Sequence, residues 1–332
     1  MKRFAFASSL LVLAACTSAP APEPAAPSAP AATAVASVPD KPAPPATPAA
    51  PPANTQAVNR EVDLGKGVSM LMGQGGNLGL LVGADGVFMI DDQYATNAVA
   101  NLAKIEELAK GKPKYLVNTH WHGDHAGGNE VFAKAGATIF ASENVRRRLS
   151  GAVQSIARNG TVTPPSPQVA WPVVTFTAGV DFHLNGQTIR AIPAPKPAHT
   201  DGDVFVYFVE ADVLHTGDTY MKDRYPFVDT GSGGTQAGFI AALEKLLTIA
   251  GPNTKVIPGH GDLANRADLE AALAMHKGAR AAVEAQVKAG KTLEQTVAAK
   301  PLAQWTPRFG GAGSFITDDA YTTVIYNELT KK

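Results

Sequence analysis

The sequence predicts an α/β fold, an αββα sandwich of two mixed sheets packed face to face with helices outside. Two observations point to it. Short apolar and β-branched runs followed by helical patterns occur twice along the chain, so each sheet has its own covering helices. Histidines and aspartates also cluster where those runs end, at loop tips that a rigid scaffold would hold along one edge of the sheets.

The chain does not begin with that fold. Lys2 and Arg3 precede an apolar run over residues 4–15, the length of a signal-peptide core and too short to cross a bilayer as a helix. Residues 1–15 therefore read as a signal peptide. The run ends in Leu13-Ala14-Ala15-Cys16, which resembles the lipobox of bacterial lipoproteins. That resemblance implies an acylated Cys16. Thr17 stands where an aspartate would argue for inner-membrane retention, so an outer-membrane anchor facing the periplasm is expected. Cys16 is the single cysteine, which excludes an intrachain disulfide. Residues 16–56 are mostly Ala, Pro, Ser and Thr, with Glu23, Asp40 and Lys41 as the charges. Such a stretch has too little bulky apolar surface to fold and reads as a semi-rigid tether. The folded unit is expected over residues 57–332. A net charge of zero, from 29 basic and 29 acidic residues, argues against a nucleic-acid partner. The membrane is then met only through the N-terminal lipid.

Strands are predicted at 58–64, 68–72, 78–82 and 87–90, separated by glycine-rich turns. Asp91 and Asp92 end the last of them. Val99, Leu102, Ile105 and Leu108 recur at helical spacing within 96–110. A buried strand follows over 113–119, then a short helix at 129–134, a strand at 138–141 and a helix at 143–149. Arg146, Arg147 and Arg148 on that helix read as a solvated face. Four prolines make 159–172 an irregular loop, able to shape the mouth of a site. The second half brings strands at 173–176, 180–184, 188–192, 204–209 and 213–216. A helix over 236–249, a strand at 255–257 and an alanine-rich helix over 267–288 complete it. The stretch 301–315 either covers the cleft or packs on a partner.

His120-Trp121-His122-Gly123-Asp124-His125 carries the densest chemistry in the chain. A period of two would point His120 and His122 to one side, and the following turn would bring Asp124 and His125 to the same space. Neutral imidazole suits zinc, and a carboxylate supplies the oxygen that a second divalent ion would want. Three more candidates stand at strand ends: His199 in His199-Thr200-Asp201-Gly202-Asp203, Asp218 after Thr216-Gly217, and His260 in Pro258-Gly259-His260-Gly261. His183, His215 and His276 read as structural or surface histidines. Trp121 either packs under the loop or walls a substrate site.

In order, spacing and flanking glycines, these motifs resemble the metallo-β-lactamase superfamily over residues 60–265. Asp91 matches that family's early aspartate, which buttresses the metal loop. The resemblance implies that His120, His122 and His199 hold one metal ion, that Asp124, His125 and His260 hold a second, and that Asp218 bridges both. Zinc is expected in preference to iron or manganese. It also implies a hydrolase in which a bridging hydroxide attacks a carbonyl while Asp124 helps to orient it. The His199 turn and its strand look like the β-lactamase and sulfur-oxidation-associated side of the superfamily. By the same resemblance, three-histidine zinc β-lactamases carry a cysteine or no ligand at the position of Asp218. An aspartate bridge is typical of glyoxalase II, lactonases and phosphodiesterases. The substrate is thus expected to be a small molecule, a β-lactam, lactone, ester or thioester. One of Lys222, Arg224 and Tyr225 is expected to bind a substrate carboxylate.

Two alternatives belong to other classes. A mononuclear iron persulfide dioxygenase keeps much of the pattern and would consume oxygen, whereas His122 argues against the flavodiiron branch, which has glutamate there. A non-catalytic metal-binding lipoprotein is disfavoured, since a closed structural zinc needs four ligands and this chain offers seven candidates.

Overall fold

The computed structural model describes residues 58–331, apart from 157–159, 161 and 311–313. The expected signal peptide, Cys16 anchor and tether lie outside the described residues.

The first sheet starts as an antiparallel meander of β1 (Arg60–Gly65), β2 (Val68–Met72), β3 (Leu78–Gly83) and β4 (Gly86–Ile90). The outermost strand, β1, is largely exposed and carries Arg60, Glu61 and Asp63, charges that discourage further strand addition at an open edge. Helix α1 (Ala98–Ala109) crosses over to β5 (Pro113–Val117), which runs parallel to β4. Helices α2 (Gly123–Ala126) and α3 (Asn129–Lys134) lead to β6 (Thr138–Ser142), parallel to β5. After α4 (Glu143–Leu149) a small hairpin forms from β7 (Ser155–Ile156) and β8 (Val162–Thr163), and β9 (Val174–Phe176) then closes the sheet beside β6.

The second sheet is antiparallel through β10 (Val180–Leu184), β11 (Gln187–Pro193), β12 (Val204–Phe208) and β13 (Val213–His215). Helix α5 (Gln236–Ile249) carries the chain to β14 (Lys255–Ile257), parallel to β13, and β15 (Ala264–Asn265) pairs antiparallel with β14. Helices α6 (Arg266–Lys288), α7 (Leu293–Ala298), α8 (Thr306–Phe309) and α9 (Asp318–Thr330) follow.

Side-chain alternation explains why the central strands read as unbroken apolar runs. In β4, Phe88 and Ile90 enter the core between the sheets while Val87 and Met89 face α1 and α3, with Ile105 and Phe132. In the second sheet, Val204, Val206 and Phe208 of β12 fill the inter-sheet core. Phe205 of that strand and Leu214 of β13 pack outward on Phe239, Leu243, Leu269 and Met275 of α5 and α6. Each such side chain contributes about 1.5–3 kcal/mol by leaving water. The layers are therefore helix, sheet, sheet, helix, as expected.

Several elements and one surface differ from the sequence reading. The first strand begins at Arg60, and the strand before the histidine loop ends at Val117. The loop predicted over 159–172 contains β8 and a single helical turn at Gln168–Ala170. The sequence pattern predicts no element over 318–330, where α9 buries Tyr321 and Ile325 against α6; interleaved threonines hide its periodicity. The three arginines are not one solvated face. Arg148 is buried and grips Asp201 through Nε and Nη2 at 2.7 and 2.8 Å, and Arg146 lies over the Trp171 ring.

Candidate metal centre

The carboxyl ends of β4, β5, β13 and β14 meet at one edge of the sandwich, where open α/β sheets present their functional loops. Past Val117 the chain bends and starts α2, so His120 stands on a bend and His122 caps the helix, neither on a continuing strand. The His199 turn precedes β12. Its Asp203 carboxylate accepts from the backbone N–H groups of His199 and Thr200 and from the Thr200 hydroxyl. Those bonds fold the turn so that His199 faces the loop of the first half. Asp218 follows β13, and His260 follows β14.

All seven expected side chains come together. His199 Nε2 is 3.1 Å from His120 Nε2 and 2.8 Å from His122 Nδ1. On the other side, His260 Nε2 is 3.3 Å from His125 Nε2 and 3.2 Å from Asp124 Oδ2. Asp218 sits between, 3.1 Å from His125, 3.4 Å from His199 and 3.4 Å from His260. Donor atoms of His120, His122 and His199 lie within 4.8 Å of one another, as do those of Asp124, His125 and His260 and those of His120, His125 and Asp218.

The donor set suits a divalent cation. Imidazole nitrogens face each other across hydrogen-bond distances, although two lone pairs in such a gap repel. Asp218 is buried, and its Oδ1 makes no hydrogen bond of good geometry among the described residues, with the His125 Nε2 3.1 Å away. A buried carboxylate oxygen of that kind needs a cation. Two glycines leave the room: a Cβ on Gly259 would lie 1.9 Å from Asp218 Oδ1, and one on Gly76 would lie 2.1 Å from the His125 ring.

Outer contacts fix which nitrogen points inward. Asp91 is fully buried and accepts from Thr119 N and from the Thr119 hydroxyl, and its Oδ2 lies 2.7 Å from His125 Nδ1. It thus braces the loop and one histidine together. The Phe227 carbonyl meets His199 Nδ1 at 2.7 Å, and Asp229 Oδ2 meets His122 Nε2 at 2.8 Å. Burial pushes His120 down and His199 down to about 4, so both are neutral ligand forms. Burial opposes charge on His125 and His260 too, but Asp218 and Asp124 outweigh it. His125 is held well above its ordinary value, and His260 is raised to about 9. A cation entering there displaces those protons.

The centre opens into a cavity of about 600 Å³ lined by Tyr94, Trp121, Met221, Phe227 and Phe315, with exposed Arg224 on its wall. Trp121 takes both roles left open above: it is buried on Val145 and Leu149, donates to Ser232 Oγ at 3.1 Å, and lines the cavity. Thr163 of the proline-rich loop and Phe315 of the C-terminal stretch also line it.

Of the three residues expected to meet substrate, Lys222 is misplaced by the sequence reading. The reversal after Asp218 ties Lys222 N to His260 O and turns its Nζ to the Leu263 carbonyl, 2.8 Å away. Tyr225 reaches the cavity with one edge only, its ring being buried beside Phe309 and Tyr321. His183 is exposed, His215 is buried against the Asn77 carbonyl, and His276 is buried against the Tyr321 hydroxyl. Asp229, Tyr94, Gly76 and the Phe227 carbonyl were not found from the sequence. Asp229 stands in Asp229-Thr230-Gly231-Ser232-Gly233-Gly234, which reads only as a turn.

A family model described as the metallo-beta-lactamase superfamily matches residues 72–260. A hydroxyacylglutathione hydrolase from Methylococcus capsulatus is 30% identical over 106 residues, 32% of this chain and 33% of its own length. One of the same name from Brucella ovis is 25% identical over 232 residues, 66% of this chain and 78% of its own length. The chain thus spans a third of the first relative and about three quarters of the second. A solved metallo-beta-lactamase from Pontibacter korlensis superposes with a TM-score of 0.53 at 20% identity, covering 66% of this chain and 98% of that one, a likeness of fold.

Proposed function

Because the chain belongs to the metallo-beta-lactamase superfamily, we propose that it is a metallo-hydrolase that binds two zinc ions and cleaves a carbonyl substrate, whether β-lactam, lactone, ester or thioester. The observation that carries this reading is the donor set itself: a three-histidine group beside an Asp124, His125 and His260 group, with Asp218 between. Zinc bound there would supply a nucleophile active near neutral pH and a Lewis acid for the carbonyl oxygen.

The protein's residues then have separable tasks. His120, His122 and His199 would hold the first ion and Asp124, His125 and His260 the second, with the Asp218 carboxylate between the two groups. Asp124, on the cavity wall beside His260, orients the nucleophile and meets the leaving group. The aromatic lining excludes water and receives the apolar part of the substrate. Arg224 binds a substrate carboxylate. Sequence alone supports the remaining part of the proposal, a Cys16 lipid anchor that places the enzyme in the periplasm at the outer membrane.

A panel containing a chromogenic cephalosporin, an aromatic lactone, an aryl ester and an acyl thioester tests this reading against wild type and His122→Ala. Turnover of one class by wild type, lowered by orders of magnitude in His122→Ala together with its metal content, is the expected result. Retention of both metal and activity in the variant would refute the site.

A further inference from the structure

We infer that Asp229 is a positioning residue for the first metal site, setting the tautomer of His122 as Asp91 sets that of His125. The inference rests on the two-ion reading above.

Four of the five histidines that point a nitrogen into the centre have the other nitrogen occupied from behind. Thr119 Oγ1 lies 3.1 Å from His120 Nδ1, the Phe227 carbonyl 2.7 Å from His199 Nδ1, and Asp91 2.7 Å from His125 Nδ1. For His122 the partner is the Asp229 carboxylate, 2.8 Å from Nε2. An acceptor there requires the proton on Nε2 and leaves the Nδ1 lone pair inward, toward His199. Two of the four partners are carboxylates, and they fall one to each site.

His122 needs such a clamp more than the other two histidines of its site. Its side chain is 15% exposed against 1% for His199, so packing alone does not hold the ring. Asp229 is itself fixed on both oxygens and on its backbone. Its Oδ1 accepts from Ser232 N at 3.1 Å, and its N–H donates to the His199 carbonyl at 3.0 Å. Ser232 in turn receives the Trp121 indole. The segment 227–235 therefore holds two ligands of the first site from the far side of the sandwich. A carboxylate behind a ligating histidine fixes the ring and raises its basicity, and its loss costs about 10- to 100-fold in metal affinity.

Cobalt(II) titration of the full, metal-stripped chain, read by calorimetry and by the visible absorption of the bound ion, separates this from a merely structural role. Asp229→Asn keeps the turn but opposes an amide N–H₂ or a neutral oxygen to His122; Asp229→Ala removes the group; Thr230→Ala alters an exposed side chain of the same loop without touching that contact. In both Asp229 variants one ion, the one lost in His122→Ala, should bind about 10- to 100-fold more weakly with a changed spectrum. The other ion, and both ions in Thr230→Ala, should bind as in wild type. Two ions bound as in wild type by both Asp229 variants would overturn the inference while leaving the two-ion reading intact. Equal weakening of both ions with a lowered melting temperature of the metal-free protein would assign Asp229 to the fold instead. Wild type that fails to take up two ions would overturn the two-ion reading itself, and this inference with it.

Discussion

Gly76→Ala should cost the protein an ion without unfolding it. Gly76 lies flat on the His125 imidazole: a Cβ there would sit 2.1 Å from Cε1 and 2.5 Å from Nε2. Carbon atoms in contact stay about 3.5 Å apart, so the ring must retreat by about 1.4 Å. The backbone cannot yield easily, since Gly76 N–H donates to the Asp124 carbonyl at 2.9 Å and its carbonyl accepts from Gln93 Nε2 at 2.7 Å. Nor is His125 free, being fully buried and tied to Asp91. Gly76 has no left-handed φ, so alanine strains nothing but the contact. Overpacking of this kind costs about 1–3 kcal/mol, and a misplacement of about 1 Å at a reacting centre costs about 100-fold in rate. Metal content by elemental mass spectrometry should fall from two ions to one, with turnover down about 100-fold. Gly123→Ala, at the start of the short helix that carries His125, places its Cβ against nothing within 4 Å and should keep both ions. Two ions and full turnover in Gly76→Ala would refute the placement of His125 in the centre.

Acid stability should report His276. Burial pushes its pKa down to about 3 from 6.5, so the unfolded chain takes up the proton more readily than the folded one. Its contribution is full above about pH 6.5 and is lost on acidification at about 1.4 kcal/mol per unit, or about 2 kcal/mol between pH 6.5 and 5. Urea melts of wild type should therefore lose that much more than His276→Gln over the same interval; parallel pH profiles would contradict it. Arg224→Ala should raise KM for anionic substrates about fivefold, the worth of an exposed ion pair of about 1 kcal/mol. Lys222 is turned to Leu263, so Lys222→Ala should leave KM unchanged, and the reverse pattern would contradict the roles given to Lys222 and Arg224.

Layer order and the side chains that converge at the candidate centre were both legible in the sequence, for a shared reason. Strands buried on both faces must be continuously apolar, as Leu78 to Val82 and Val87 to Ile90 are, and the polar residues that interrupt them fall at the edge where the site forms. Ligands such as His199 and His260 carry their own glycine and aspartate turn chemistry, which local sequence records. What sequence did not record was partnership across the sandwich. Asp229 matters because it reaches His122, 107 residues away. Arg148 is buried because Asp201 stands opposite it. Lys222 points away because Leu263 offers a carbonyl. None of these pairs has a local spacing to reveal it, and in each case the residue alone suggests a turn, a solvated face or a substrate contact.

The most direct test of the central claim is elemental mass spectrometry of the purified wild-type protein, run beside an oxygen electrode with persulfide substrate. Two zinc ions per chain and no oxygen uptake is the expected result. One iron per chain with oxygen consumption would contradict it and assign the same histidines to a dioxygenase.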